Sequence, residues 1–123
     1  MCATILIVDD DQQFRTLMRQ IPASYADLNV VGEAEDGAEA VRLTYELRPD
    51  LVLLDLAMPG VNGLEATRRI KAECPESQVI IVTVHTEDAY RRAAEDSGAD
   101  AFLLKKTLMT VLLPTIRRMR SPC

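Results

Sequence analysis

The sequence predicts an α/β domain: a doubly wound sheet of five parallel strands alternating with five helices. Three observations predict it. Five apolar runs of four or five residues recur along the chain, at Thr4–Val8, Leu28–Val31, Leu51–Leu54, Val79–Val82 and Ala101–Leu104. Each is apolar nearly throughout, as expected of strands covered on both faces, and such strands belong to parallel sheets. The segments between them have helical length and carry apolar residues at helical spacing. At 123 residues the chain is long enough for one domain with one core.

Each element has its own justification. Thr4–Val8 runs straight into Asp9, Asp10 and Asp11. Phe14, Leu17, Met18 and Ile21 form the stripe of a first helix. Leu28–Val31 is a short strand and a weak point of the pattern. Ala40, Val41, Thr44 and Leu47 stripe a second helix, and Leu51–Leu54 ends at Asp55. Asn62 can cap a third helix carrying Leu64, Thr67 and Ile70, with Glu65 placed for a near capping box. Val79–Val82 ends at Thr83. Thr86 is read as the cap of a fourth helix over Glu87–Ser97, stopped by Gly98. Ala101–Leu104 ends at Lys105, and a last helix covers Leu108–Met119. Pro114 inside it removes a hydrogen bond and crowds the preceding turn, at a cost of ~3 kcal/mol. The last helix is therefore expected to kink there or to divide in two.

Composition narrows the function. Hydrophobic residues make up 48% and charged residues 27%, ordinary values for a globular chain. A formal net charge of −5 argues against general nucleic-acid binding. No apolar stretch reaches membrane-spanning length, and no secretory signal precedes the first strand. Cys2, Cys74 and Cys123 form neither a zinc pattern nor a disulfide framework, so reduced thiols in a cytoplasm are expected. From Ala101 onward there are Lys105, Lys106, Arg117, Arg118 and Arg120 and no acid. That segment reads as a solvated basic helix, or alternatively as a docking surface or the start of a linker.

The chemistry collects where the strands end. Ligands of open parallel sheets bind beyond the carboxyl ends of the strands. The first strand delivers Asp9, Asp10 and Asp11 there, the third Asp55, the fourth Thr83 and the fifth Lys105; the second delivers nothing comparable. Any one of these residues alone is ordinary. Together they make a rim of carboxylates, a hydroxyl and an ammonium. Carboxylate oxygens suit a hard cation such as Mg2+, which typically joins one or two carboxylates to a phosphate. One aspartate can then serve as nucleophile and form an acyl phosphate. A cation also explains why a buried strand should end in three like charges, which otherwise repel.

With these motifs in place, the sequence resembles a receiver domain of two-component response regulators. The resemblance covers nearly the whole chain. It rests on VDD (Val8–Asp10), DLAMPGVNG (Asp55–Gly63), Val82–Thr83 and GADAFLLK (Gly98–Lys105), in that order and spacing. The wording around GLEATRRI and TVHTED is most similar to the subfamily that carries a C-terminal helix-turn-helix DNA-binding domain. The resemblance implies a flavodoxin-like sheet of order 2-1-3-4-5, a receiver over residues 1–120 and a tail or linker start over 121–123. It implies Asp55 as phosphoacceptor. Asp10 is implied as the direct metal ligand and Asp9 as a ligand through water, with Asp55 and the backbone carbonyl of Ala57 completing the protein's share. The metal is Mg2+, with Mn2+ as the alternative. Lys105 is implied as the phosphoryl contact, Thr83 as the switch hydroxyl and Phe102 as the switch aromatic. The implied partner is a sensor histidine kinase, and the implied output surface lies on the fourth helix, fifth strand and fifth helix. No direct DNA contact by this domain and no membrane contact are implied. Such a domain is a phosphoacceptor that assists its own phosphorylation and dephosphorylation, not an enzyme. Asp11 matches no family role and reads as a helix cap.

Three positions depart from the family pattern. Lys106 stands where a proline, usually preceded by a cis bond, is common; Val84 stands where a small residue is common and is expected to narrow access to Asp55; Pro114 lies on the output face. The proline and the all-positive charge of Lys105–Arg120 together predict a monomer or a weak dimer. Other readings fit less well. Asp9-x-Asp11 superficially suits an aspartate-nucleophile phosphatase of the haloacid dehalogenase type, but the following threonine pattern and a cap domain are missing. A flavodoxin-like FMN module needs a Ser/Thr/Gly-rich loop where this chain has DDDQQ. His85, the single histidine, would suit a phosphotransfer module, but those are helical bundles. A receiver that works by interaction alone is the remaining alternative, and the intact acid set argues against it.

Overall fold

In the computed structural model, which describes residues 3–58 and 60–120, strands and helices alternate along the chain. The elements are β1 (Ala3–Val8), α1 (Gln12–Ala23), β2 (Leu28–Ala34), α2 (Gly37–Leu47), β3 (Leu51–Asp55), α3 (Gly63–Glu73), β4 (Gln78–Thr83), α4 (Asp88–Asp96), β5 (Ala101–Leu104) and α5 (Leu108–Met119). A 3-10 turn over Lys105–Thr107 leads from β5 into α5. All strand pairs are parallel, in the order β2-β1-β3-β4-β5. The expected sheet is therefore the observed one. Cys2, Pro59, Cys123 and the 121–123 tail lie outside the described residues.

The continuous apolar runs are explained by helices on both faces. On one face Ile5, Ile7, Leu51, Leu53, Ile80 and Val82 meet Met18 of α1 and Leu108, Leu112 and Ile116 of α5. On the other, Leu6, Val8, Val52, Leu54, Val79 and Ile81 meet Ala40 of α2, Ala66 and Ile70 of α3, and Ala94 of α4. Successive side chains of a strand point to opposite faces, so a strand covered twice has no polar position to spare. Full burial of one such Leu or Ile is worth roughly 1.5–3 kcal/mol. The two edge strands differ: β5 is half-buried along its length and β2 along most of it.

Several local expectations need correction. β2 continues to Ala34, three residues past the apolar run, because parallel pairing to β1 carries it on through Gly32 and Glu33. The α4 cap is Glu87, not Thr86, and it makes no side-chain capping bond. Asn62 does cap α3, accepting from the Glu65 N–H at 3.0 Å, but the Glu65 side chain turns outward to Arg69 and does not close a capping box. α5 runs unbroken through Pro114, which is exposed, and is not divided in two. No cis peptide bond occurs among the described residues, so Lys105–Lys106 is trans. No helix among the described residues is long and apolar enough to cross a membrane.

The basic C-terminal segment is mostly engaged within the molecule. Arg117 pairs with Asp27, Arg120 with Asp50 and Gln78, and Lys105 turns into the acid cluster. A simple solvated helix does not describe it. Lys106 and Arg118 are its exposed charges.

Candidate functional site

Acids sit at both ends of the sheet, and the two ends treat them differently. Asp27, Asp50 and Asp100 immediately precede β2, β3 and β5. Each has a basic partner: Arg117 for Asp27, Arg120 for Asp50 and Lys71 for Asp100. Asp50 and Asp100 also accept backbone N–H groups, from Thr4 and Val79, both at 2.8 Å. These acids are structural. At the carboxyl ends of the strands, three acids gather, and one ammonium faces two of them.

Oxygens of Asp9, Asp10 and Asp55 all lie within 4.8 Å of one another. Asp9 and Asp55 are buried and Asp10 is exposed, so the cluster opens to solvent on one side. Lys105 Nζ lies 2.8 Å from Asp9 Oδ2 and 3.6 Å from Asp55 Oδ1. The Phe14 ring, from α1, stands 4.3 Å from the same ammonium. The Asp11 N–H donates to Asp9 Oδ1 at 2.9 Å, while the Asp11 side chain caps α1 by accepting from Gln13. Asp11 thus has the capping role read from the sequence.

Burial and like charge act together on Asp55. Burial first, then Asp9 and, less strongly, Asp10 raise its carboxyl, Lys105 opposes them, and the net rise is from 3.8 to about 6. It is still mainly anionic at pH 7. Burial pulls the Lys105 ammonium down, but the Asp9 and Asp55 carboxylates outweigh it and raise its pKa. The ammonium is firmly charged and cannot act as a base.

The other expected site residues occupy the same rim with different partners. Thr83 ends β4 fully buried, and its hydroxyl accepts the His85 N–H at 3.2 Å. His85 itself stacks on Tyr90, ring centroids 4.3 Å apart. Ala57 lies exposed two residues past Asp55. Phe102 sits within β5 beside Ile81, half-buried, with the Arg91 guanidinium 4.9 Å above its ring. Val84, expected to narrow access, is 67% exposed.

Gly63 has a steric role that turn chemistry alone does not convey. Its N–H donates to Leu56 O at 2.9 Å, and a Cβ here would stand 2.3 Å from Asp55 O. Only glycine lets the start of α3 press this closely on the end of β3. Gly63→Ala is therefore expected to destabilise the fold by roughly 3 kcal/mol, the upper range for overpacking, and to displace Asp55. Urea unfolding checks this, and a midpoint equal to that of the unsubstituted chain would refute the close-approach argument.

Comparison with known proteins gives a consistent picture. The response regulator receiver domain family matches residues 5–117. The response regulator protein VraR of Staphylococcus saprophyticus is 36% identical over 114 residues, which are 93% of this chain and 54% of that protein. The chain thus spans about half the length of the curated relatives it matches. The response regulator domain of Thermotoga maritima CheB superposes with a TM-score of 0.88 at 36% identity, over 96% of both chains. A LuxR-family two-component response regulator from Aurantimonas sp. SI85-9A1 superposes with a TM-score of 0.91 at 34% identity, over 97% of this chain and 85% of that one.

Proposed function

The chain belongs to the response regulator receiver domain family, and on that footing we propose that it accepts a phosphoryl group on Asp55 in a Mg2+-dependent reaction. The observation that carries this reading is the convergence of Asp9, Asp10 and Asp55 within 4.8 Å beside one ammonium. Three carboxylates with one open side suit a hard divalent cation. Asp10 and Asp55 would hold it, with Asp9 acting through water and the Ala57 carbonyl supplying a further oxygen; Mn2+ would suit the same donors. When bound, the ion neutralises charge between an anionic phosphoryl donor and the acids.

The chain's own residues account for the rest. A carboxylate oxygen of Asp55 attacks phosphorus and forms an O–P bond. The P–N bond to a phosphohistidine of the sensor kinase breaks, and its electron pair leaves with the imidazole. Lys105, already in salt-bridge reach of Asp55, holds an oxygen of the transferred group. The Thr83 hydroxyl turns to donate its O–H to a phosphoryl oxygen, and Phe102 moves with it. The surface on α4, β5 and α5 changes as a result. Residues 1–120 form the receiver. In a longer protein that surface controls a C-terminal DNA-binding domain, as the LuxR-family similarity suggests. A cytoplasmic location and a monomeric or weakly dimeric state complete the reading.

Acetyl phosphate tests it, because its P–O bond can break in place of the P–N bond. Intact mass is expected to show one added phosphoryl group with Mg2+ and none with a chelator. A receiver acting by interaction alone takes up no phosphoryl group, and that result would overturn the proposal.

A further inference from the structure

Arg15 is a charged interior side chain for which the proposed transfer has no use. It lies on α1 and is 7% exposed. Its guanidinium spans two strands. Nη1 donates to the backbone carbonyl of Asp9 at 2.6 Å, and Nε donates to Glu33 Oε1, on β2, at 3.1 Å. Nη2 lies 3.9 Å from Glu35 Oε1. Arg19 holds the other Glu33 oxygen at 2.6 Å. Burial pushes the Glu33 carboxyl up, but the two guanidiniums together hold it below its usual value.

Two features set Arg15 apart from an ordinary ion pair. It grips the main chain of Asp9 and leaves the carboxylate oxygens to the Asp11 N–H and Lys105. It is also a rigid planar fork, so fixing one arm on Glu33 fixes the arm on Asp9. The gripped carbonyl is where β1 ends and Asp9 and Asp10 turn toward Asp55.

We infer that Arg15 is a positioning residue for the cation site: clamped between Glu33 and the Asp9 carbonyl, it sets the direction in which Asp9 and Asp10 present their carboxylates. This inference rests on the metal site proposed above. It also gives β2, which delivers no residue to the rim, a part in building it. Outer groups that orient metal ligands typically matter ~10–100-fold for affinity or activity. Charge alone predicts the opposite sign. Removing a cation from beside three acids should tighten Mg2+ binding, whereas removing a positioning contact should weaken it.

The experiment is calorimetric titration of Mg2+ into the chain and its Arg15→Gln, Glu33→Gln and Asp10→Ala variants, with circular dichroism to establish folding. Arg15→Gln is expected to weaken Mg2+ binding ~10-fold while the acetyl phosphate rate at saturating Mg2+ stays near that of the unsubstituted chain. Glu33→Gln should weaken it as well, and by the same factor at high ionic strength, where the loss of an acid's charge alone is screened; it decides the matter if Arg15→Gln does not fold. Unchanged or tighter Mg2+ binding in a folded Arg15→Gln, or in Glu33→Gln where that variant decides, overturns the inference while the metal site stands. No Mg2+ binding by the unsubstituted chain, or full binding by Asp10→Ala, overturns the metal-site reading and this inference with it.

Discussion

Asp55→Asn is expected to abolish phosphoryl acceptance and leave the fold intact. The amide has nearly the same shape, so the end of β3 need not move. It is neutral, and it cannot form the acyl phosphate. The remaining acids are poor substitutes. Both Asp9 oxygens are engaged, one by the Asp11 N–H and one by Lys105. Asp10 is exposed at the edge of the cluster and lacks the close ammonium that faces Asp55. Asp55 is buried with the Lys105 ammonium 3.6 Å away, outside the 2.8 Å pairing that occupies Asp9. Asp10→Ala should keep the acceptor and label more slowly at limiting Mg2+. Intact mass after prolonged incubation with acetyl phosphate and Mg2+ is the measurement. An Asp55→Asn chain labelled as fully as the unsubstituted one would place the acceptor elsewhere.

The sheet and its rim were legible for a simple reason. A parallel sheet covered on both faces leaves uninterrupted apolar runs, and the residue after each run is the residue at the rim. Asp9, Asp55, Thr83 and Lys105 could therefore be placed together without any contact being known. What lay outside the runs was harder. The extension of β2 through Gly32 and Glu33 is held by pairing to β1, and a polar edge-strand residue gives no apolar signal. The role of Arg15 depends on Glu33, eighteen positions away on that same unread extension. Gly37 opens α2 so close to the loop between β3 and α3 that a Cβ would stand 2.0 Å from Val61 O, yet in sequence it is one more glycine after an aspartate. Pro114 does not divide α5. Its missing N–H leaves only the Thr110 carbonyl without a helical partner, and burial of Leu112, Thr115 and Ile116 holds α5 together around it.

Without a divalent cation, Asp55→Asn is also expected to make the chain more stable at neutral pH. The cause is the raised Asp55 carboxyl. In the unfolded chain it titrates near 3.8 and in the fold near 6, with burial the main cause and Asp9 next. Between those values the folded state keeps a proton that the unfolded state has released. Stability due to this group is therefore present at acid pH, falls as pH rises through that window, and is lost above it. A shift of this size corresponds to roughly 2–3 kcal/mol. Asn carries no such charge and should recover most of it, less what is lost in the 3.6 Å pairing with Lys105, which retains Asp9. Asp27 and Glu33 act in the opposite sense. Their carboxyls are held low, Asp27 chiefly by Arg117 and Glu33 by Arg19 and Arg15 against burial. Their contribution is present above the ordinary carboxylate range and is lost only as pH falls through their depressed values. The two windows are separate, so the chain should be most stable in mildly acid solution and Asp55→Asn should flatten the decline toward neutrality. Saturating Mg2+ should flatten it as well, since a ligand of the native state alone contributes ~2.7 kcal/mol at a hundredfold excess over its Kd. Urea unfolding in chelator, across the mildly acid to neutral range, measures the difference between the two chains. An Asp55→Asn chain no more stable than its parent at neutral pH would show that the three acids bear no electrostatic strain in the absence of a cation.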